Sequence, residues 1–271
     1  MKLPGARTVS VLIVVVYATA VFLGLRSERV VALLHPGNPV VWAAWKAPDR
    51  ATIPAGPSGD SIRYGIHLFE ETPWYAAAYT GNKLNCNNCH TQGGTAPHAS
   101  PMVGLPPLFP MYNKRAGHMI TLKDRIQECF TRSENGKPLP YDSREMNALV
   151  DYIVWLSQKQ PSRKPFTGRG LVTLPDLKPD PVHGAQIYAS QCAGCHGANG
   201  AGYLPQFPPL WGPQAFNDGA GMDGTDKMAA FVQYNMPQNR PGILSPQDAY
   251  DVSAFVHAQP HPAFNQAYKN Y

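Results

Sequence analysis

The chain has 271 residues and a formal net charge of +5, a length that allows about two ordinary domains. Its basic residues form no dense run and no known nucleic-acid-binding motif, so the sequence argues against nucleic acid as a partner. The 28 prolines and 24 glycines predict long irregular loops between few helices. Residues 60–165 carry a basic excess of three charges and residues 178–262 an acidic excess of three, so the first region could attract an anion.

Residues 1–28 are predicted to be an export segment. Lys2 and Arg7 give it a positive start, and residues 9–25 are almost wholly apolar. A signal peptide and a membrane anchor compete here, because the possible cleavage site at 18–20 falls inside the apolar run. We favour an uncleaved N-terminal hydrophobic helix that tethers a periplasmic protein to the inner membrane. The alternative is a soluble periplasmic protein after cleavage.

Composition divides the remaining chain into two predicted domains. The predicted segments are an apolar extension and linker at 29–59, a first domain at 60–160, a linker rich in Pro, Lys and Arg at 161–181, a second domain at 182–262 and a tail at 263–271. A helix is expected within 60–80, with Tyr64, Leu68 and Phe69 on its apolar face.

Each predicted domain contains one Cys-x-x-Cys-His motif, the attachment signature of c-type haem. The motif residues are Cys86, Cys89 and His90 in the first copy and Cys192, Cys195 and His196 in the second. The two thiols bond to the haem vinyl groups, and the adjacent histidine supplies one axial ligand to the iron. A four-cysteine zinc site would leave both histidines unexplained. The sequence therefore predicts two covalently bound haem c groups.

The sixth iron ligand of the second domain is predicted to be Met236. It follows a predicted helix at 226–234 and precedes a terminal helix that has Ser245 as its N-cap and Pro246 at its first position. This pattern resembles the class I cytochrome c fold. Its rivals are less suitable, because Met222 lies in a Gly-rich loop and Met228 falls in the middle of the helix.

The corresponding position of the first domain is occupied by Cys129, the fifth and unpaired cysteine. It also lies on a predicted helix, at 122–133, and a terminal helix at 142–157 also follows it. Asp142 is the expected N-cap of this terminal helix, and Glu145, three residues later, would complete a capping box. Thiolate ligation of iron would explain a free thiol in an exported protein. The alternatives are an intermolecular disulfide, or a buried structural cysteine with one of three other residues as the ligand: Met111, His118 or Met119.

Polar residues around Cys129 suggest an anion site beside the first haem. Arg125 and Ser133 lie four residues to either side of Cys129, so all three share one helical face. Further basic residues nearby in sequence are Lys114, Arg115, Arg132 and Lys137. Cationic neighbours favour a thiolate and could hold an anion. The alternative is that these arginines bind haem propionates or are simply solvated.

At this point the sequence resembles the thiosulfate dehydrogenase family of dihaem c-type cytochromes. The stretches that carry the resemblance are 79–90, 124–140, 234–237 and 244–252, and together they span roughly residues 60–260. The stretch 124–140 is the specific part, since paired haem motifs alone are typical of any dihaem cytochrome. Some members carry Lys immediately before the methionine of the second haem, where this chain has Asn235. Because that lysine is missing here, a Lys/Met ligand exchange is excluded, and the role of Asn235 stays open.

The resemblance implies a mainly α fold with two class I cytochrome c-like domains in tandem. It implies an enzyme that joins two thiosulfates into tetrathionate and passes two electrons to an acceptor cytochrome or respiratory complex. It implies His90/Cys129 ligation at the active-site haem and His196/Met236 ligation at the electron-exit haem. It assigns Arg115, Arg125 and Ser133, with Cys129, to the catalytic pocket.

Three other functions compete with this one. A membrane-associated electron-transfer cytochrome without its own substrate would not explain Cys129 and its Arg/Ser face. A dihaem peroxidase needs acid–base residues beside an open iron, and the sequence shows no such group. A thiolate-haem enzyme that acts on a different thiol, or that reduces tetrathionate, cannot be separated by sequence, because direction depends on haem potentials and partners.

Overall fold

The computed structural model describes residues 47–160, 166 and 168–269. The predicted N-terminal helix and most of the predicted extension lie outside the described residues. In the part of the chain that is described, no helix has the length and apolar character needed to cross a bilayer.

The described chain is mainly helical, as expected. The first domain contains α1 (Pro57–Glu70), α2 (Thr72–Tyr75), α3 (Cys86–Cys89), α4 (Thr91–Gly94), the hairpin strands β1 (Met111–Asn113) and β2 (His118–Ile120), α5 (Leu122–Glu128), a π-helix (Cys129–Ser133) and α6 (Arg144–Ser157). The second domain contains α7 (Pro181–Ile187), a π-helical stretch (Tyr188–Cys192), α8 (Ala193–His196), α9 (Thr225–Asn235) and α10 (Pro246–His257). Single 3₁₀ turns lie at Arg50–Thr52, Pro106–Leu108, Gly221–Asp223 and Gln266–Tyr268.

The two domains repeat one helix crossing. In the first domain α1 packs against α6, and a Cβ atom placed on Gly65 would lie 2.1 Å from the carbonyl oxygen of Ala148. In the second domain α7 packs against α10, and a Cβ atom on Gly184 would lie 2.0 Å from the carbonyl oxygen of Asp251. A glycine therefore allows close backbone contact at each crossing. This contact between the first and last helices of each domain matches the predicted cytochrome c pattern.

The core of the first domain lies between α1, α5 and α6. Its most buried members include Leu68, Phe69, Phe130, Met146 and Tyr152. In the second domain the buried set includes Tyr188, Met228 and Val252, which confirms that Met228 is a core residue.

The helix starts agree with the sequence only in part. The helix expected within 60–80 begins earlier, at Pro57. Ser245 caps α10, as predicted, and it also forms a capping box with Asp248. The prediction that Asp142 caps α6 was wrong by one residue, because the Ser143 side chain accepts the backbone N–H of Met146 and the helix begins at Arg144. Asp142 instead pairs with Lys123 at 3.3 Å.

The hairpin and the two π-helical stretches were not predicted. The expected helix at 122–133 is α-helical only to Glu128 and continues as a π-helix from Cys129 to Ser133. The helix that carries the second haem motif likewise changes from α to π at Tyr188 and ends at His196. The π-helical stretch begins at Cys129 in the first domain and ends at Cys192 in the second.

The crossing of α1 and α6 provides a stability test. Replacing Gly65 by Ala should lower the free energy of unfolding by about 2 kcal/mol, because the added methyl group forces the helices apart. This loss would outweigh the helix propensity of Ala over Gly, which favours the variant by about 1 kcal/mol. Denaturant unfolding of the haem-loaded protein measures the change.

The control for this test is Gly221→Ala, since a Cβ atom there would have no neighbour within 4 Å. The control should unfold like the wild type. Equal stability of both variants and the wild type would show that the crossing tolerates a side chain.

Candidate active site

The first haem motif lines a largely apolar cavity of about 400 Å³ in the first domain. Apolar side chains from α1, α5 and α6 form part of its wall: Phe69, Ile126, Leu149 and Ile153. Cys86, Cys89 and His90 line the same cavity, together with Cys129. The fold thus brings the first motif and the fifth cysteine to one site.

Both motif histidines are held by a backbone carbonyl group. His90 Nδ1 lies 2.7 Å from the Ser100 carbonyl oxygen, and His196 Nδ1 lies 2.9 Å from that of Pro208. A carbonyl oxygen can only accept, so Nδ1 carries the proton and Nε2 keeps its lone pair. Burial lowers the pKa of His90 to about 4 and also lowers that of His196. Each imidazole is therefore neutral, oriented and ready to coordinate a metal through Nε2.

None of the four motif cysteines forms a disulfide bond with another described residue, which covalent attachment of haem requires. Burial raises the pKa of Cys89 to about 12 and that of Cys192 to about 11, and it places the pKa of Cys86 well above its usual value. The Cys86 backbone N–H donates to Thr72 Oγ1 at 3.2 Å, which fixes the start of α3. With neutral histidines and unpaired thiols beside an apolar cavity, the residues of the first site fit haem c.

Cys129 is the first residue of the π-helix and lies next to Arg125. The distance from Arg125 Nη1 to Cys129 Sγ is 3.7 Å. Burial raises the pKa of Cys129, whereas the positive charges of Arg125 and Arg115 lower it. The guanidinium group therefore opposes the cost of placing a thiolate in this apolar wall.

Arg125 is held in place by one acceptor outside the cavity, the Glu128 carboxylate. Its Nη1 donates to Glu128 Oε2 at 3.1 Å, and the same oxygen accepts from Asn113 Nδ2 at 3.0 Å. Glu128 is 3% exposed. A buried carboxylate on the next turn of the helix thus fixes the guanidinium group beside the Cys129 sulfur.

The other predicted pocket residues divide into two groups. Ser133 lines the cavity with Arg125 and Cys129. Arg115 follows the hairpin strand β1, and its Nη1 donates to the carbonyl oxygen of Gly219 in the second domain at 3.1 Å. Arg115 thus reaches between the two domains, close enough to influence the pKa of Cys129. The alternative ligands Met111, His118 and Met119 all lie exposed on the hairpin, and of the three Met111 also lines the cavity.

Sequence reasoning missed Glu134, which also lines the cavity. Glu134 is 2% exposed, and its Oε2 has no hydrogen-bond partner within the described residues. Burial raises the pKa of this carboxyl group well above its usual range. In the sequence it resembles an ordinary charged residue of a polar loop, and only its position beside Ser133 could have drawn attention to it.

The predicted ligand Met236 lies at the C-terminal end of α9 and packs with Phe231, Ala96 and Ala99. Its rival Met222 contacts the same cluster and also the core that contains Cys192. These contacts do not distinguish the two methionines, and Met236 stays a prediction.

Asn235 is engaged in hydrogen bonds rather than free. Its Nδ2 donates to the His98 carbonyl oxygen at 3.1 Å and to that of Phe231 at 3.0 Å. His98 lies two residues before Ser100, whose carbonyl group holds His90. The Asn235 side chain therefore connects the end of α9 to the loop that orients the first motif.

Comparisons with known proteins agree with this fold. Residues 71–161 match the family model of the SoxA/TsdA cytochrome c domain, and residues 179–256 match the model described as cytochrome c oxidase, cbb3-type, subunit III. Fold and site thus define a dihaem c-type cytochrome with two covalently bound haem c groups.

The curated relatives are named thiosulfate dehydrogenase. That of Allochromatium vinosum is 40% identical over 233 residues, covering 82% of this chain and 86% of the relative. That of Stutzerimonas stutzeri is 38% identical over 226 residues, covering 80% and 73%. The chain therefore belongs to the thiosulfate dehydrogenase family.

A solved structure, that of thiosulfate dehydrogenase TsdBA from Marichromatium purpuratum in its as-isolated form, has the same fold. It matches with a TM-score of 0.77 at 36% identity and covers 80% of this chain. The match covers 50% of the TsdBA chain, so the present chain spans about half of that longer protein.

Glu134 provides a pH test of the cavity. Its folded-state pKa is raised, so the unfolded chain loses this proton at lower pH than the folded protein does. Above the unfolded carboxyl pKa of about 4.3, rising pH should therefore destabilise the wild type until the folded pKa is reached.

In Glu134→Gln this loss should disappear. The stability of the variant relative to the wild type should grow with rising pH by up to about 1.4 kcal/mol per pH unit, measured by denaturant unfolding from pH 5 upward. A difference between the two proteins that stays constant over this range would show that Glu134 has the same charge folded and unfolded.

Proposed function

We propose that this protein oxidises thiosulfate, joining two thiosulfate ions into tetrathionate and releasing two electrons. The observation that carries the proposal is the Cys129 sulfur beside the Arg125 guanidinium group, in the cavity that also contains the first haem motif. A pure electron-transfer cytochrome has no need of a cationic group beside an unpaired thiol. The names of the relatives support the same substrate.

The first requirement of this reaction is to bring two dianions together. Arg125 at the cavity wall and Arg115 at the domain boundary supply positive charge to offset their repulsion. Each guanidinium group can donate two parallel hydrogen bonds to sulfonate oxygens. Ser133 adds a hydroxyl group in the cavity wall. These three side chains would hold thiosulfate with its outer sulfur toward Cys129.

Bond formation would then occur at the Cys129 sulfur. The thiolate and the outer sulfur of one thiosulfate form a sulfur–sulfur bond and give up two electrons. The outer sulfur of the second thiosulfate attacks the sulfur that is bonded to Cys129. Tetrathionate leaves, and the Cys129 thiolate is restored with atoms and charge in balance. Haem c, when bound, takes up the electrons one at a time and passes them onward.

The candidate ligands remain as the sequence predicted them, with His90 and Cys129 for the first iron and His196 and Met236 for the second. A methionine-ligated haem has a higher reduction potential than a thiolate-ligated one, so electrons would move from the first domain to the second. We further infer a periplasmic location, with an acceptor cytochrome or respiratory complex as the partner. An N-terminal membrane tether stays a prediction about residues outside the described structure.

Replacing Cys129 by Gly should abolish turnover. The change removes the sulfur that forms the covalent intermediate, and the expected loss in kcat is at least about 1000-fold. Activity is measured by the reduction of ferricyanide with thiosulfate as the donor. Mass spectrometry and chemical reduction confirm that both haems are attached. Near-normal activity in a variant with two reducible haems would refute the covalent route.

Arg125→Lys should raise the KM for thiosulfate by about tenfold or more, because a lysine cannot replace the bidentate contact of a guanidinium group. The matched control is Lys137→Ala, which removes an exposed basic residue close to Cys129 in sequence but outside the cavity wall. The control should change KM by less than about twofold. If KM changes by the same factor in both variants, Arg125 contributes no more than any nearby positive charge does.

A further inference from the structure

Three backbone carbonyl groups of the π-helix that carries Cys129 and Ser133 accept hydrogen bonds from residues outside the helix. A π-helix pairs groups five residues apart, as in the bond from Glu134 N to Cys129 O at 2.9 Å. The carbonyl groups of Thr131, Arg132 and Ser133 accept hydrogen bonds from more distant residues. A buried backbone acceptor must find such a partner, so the donors help to define this backbone.

Asn217 of the second domain supplies two of the three donors from distant residues, and Arg132 O also accepts from the nearby Asn135 N at 3.2 Å. Its Nδ2 donates to Thr131 O at 3.0 Å, and its backbone N–H donates to Arg132 O at 3.3 Å. The third donor is Asn82 Nδ2, which donates to Ser133 O at 2.8 Å and to Ala215 O, again in the second domain, at 3.0 Å. Residues 215–217 thus bond directly to the carbonyl groups of Thr131 and Arg132 and, through Asn82, are connected to that of Ser133.

The Asn217 side chain is fully buried and has both polar atoms paired. Its Nδ2 also donates to Asn135 Oδ1 at 3.0 Å, and its Oδ1 accepts from Gly219 N at 3.1 Å. Its relative exposure is 0%. Because both ends of the amide are used, its orientation is fixed, and no other side chain of similar volume can make the same bonds.

The same loop also orients the arginines at the domain boundary. The Gly219 carbonyl oxygen accepts from Arg115 Nη1 at 3.1 Å and from Arg132 Nη1 at 3.3 Å. The Arg132 guanidinium group lies 4.1 Å from the ring centre of Phe264, whose backbone N–H donates to Asp218 Oδ1 at 2.7 Å. Residues 215–219, which we call the 215–219 loop, therefore contact both the π-helix and Arg115.

We propose that the second cytochrome domain completes the active site of the first through the 215–219 loop, with Asn217 as a positioning residue. Asn217 acts through the backbone of the π-helix to place Cys129 and Ser133. Its bond to Gly219 N also fixes the position of the Gly219 backbone, whose carbonyl group orients Arg115. The inference rests on the proposed function for its catalytic consequence. It assigns the second domain a role in substrate handling beyond carrying electrons away.

The test compares Asn217→Ala with Ser253→Ala in the haem-loaded protein. Ser253 is also fully buried in the second domain, but its hydroxyl group donates to Ala249 O at 2.7 Å within α10. Both changes remove buried hydrogen bonds, and only the first acts on the π-helix. Asn217→Ser, which keeps one hydroxyl donor, serves as the milder variant if the alanine change prevents folding.

We expect Asn217→Ala to lower kcat/KM for thiosulfate by about tenfold or more, since Thr131 O loses its donor, and to both raise KM and lower kcat. The electron paramagnetic resonance signal of the first oxidised haem should shift, and that of the second should stay unchanged. Ser253→Ala should leave kcat and KM within about twofold of the wild type and both signals unchanged. An Asn217→Ala protein with wild-type kinetics and an unshifted first signal would overturn the proposal.

The resonance measurement separates this inference from the proposed function. If the wild type fails to oxidise thiosulfate, the proposed function is wrong, and the signal of the first haem still shows whether Asn217 positions the π-helix. If the wild type is active and the Asn217→Ala signal is unshifted, the positioning role fails and the proposed function stands.

Discussion

The contact between the Arg125 guanidinium group and the Cys129 sulfur is the interaction on which the site depends. Burial in an apolar wall raises the pKa of the thiol, and a nearby positive charge is what can make a thiolate available there. Arg125 in turn needs the buried carboxylate of Glu128 to stay in place. The thiolate, the guanidinium group and the carboxylate all come from the short segment 125–129, so one helix presents the reactive sulfur and its charge environment together.

The two domains share one architecture but differ at this position. Both have a glycine at the helix crossing, a motif histidine held by a carbonyl group, and a π-helical stretch that begins or ends at a cysteine. The first domain has a thiol at this position, with the cationic hairpin before it and the polar segment 133–134 after it in the chain. The second domain has a methionine at the end of α9. Such a difference allows one fold to bind a substrate in one copy and to carry electrons in the other.

Sequence patterns predicted those features that depend on neighbours in the chain. The haem motifs follow from fixed spacing, and the start of α10 follows from Ser245 and Pro246. The π-helix could not be predicted, since apolar spacing over five residues does not distinguish it from a continued α-helix. Asn217 was missed because its partners lie 82 and 86 residues away, and Glu134 because a buried carboxyl group has the same letter as an exposed one.

The most direct test of the account is the stoichiometry of the reaction. The purified protein with both haems is mixed with thiosulfate and ferricyanide, and the consumption of each is compared with the tetrathionate formed. The account predicts that two thiosulfates and two ferricyanides are consumed for each tetrathionate. Unchanged ferricyanide and no tetrathionate, from a protein whose two haems are both reduced by a chemical donor, would contradict it and identify an electron-transfer cytochrome.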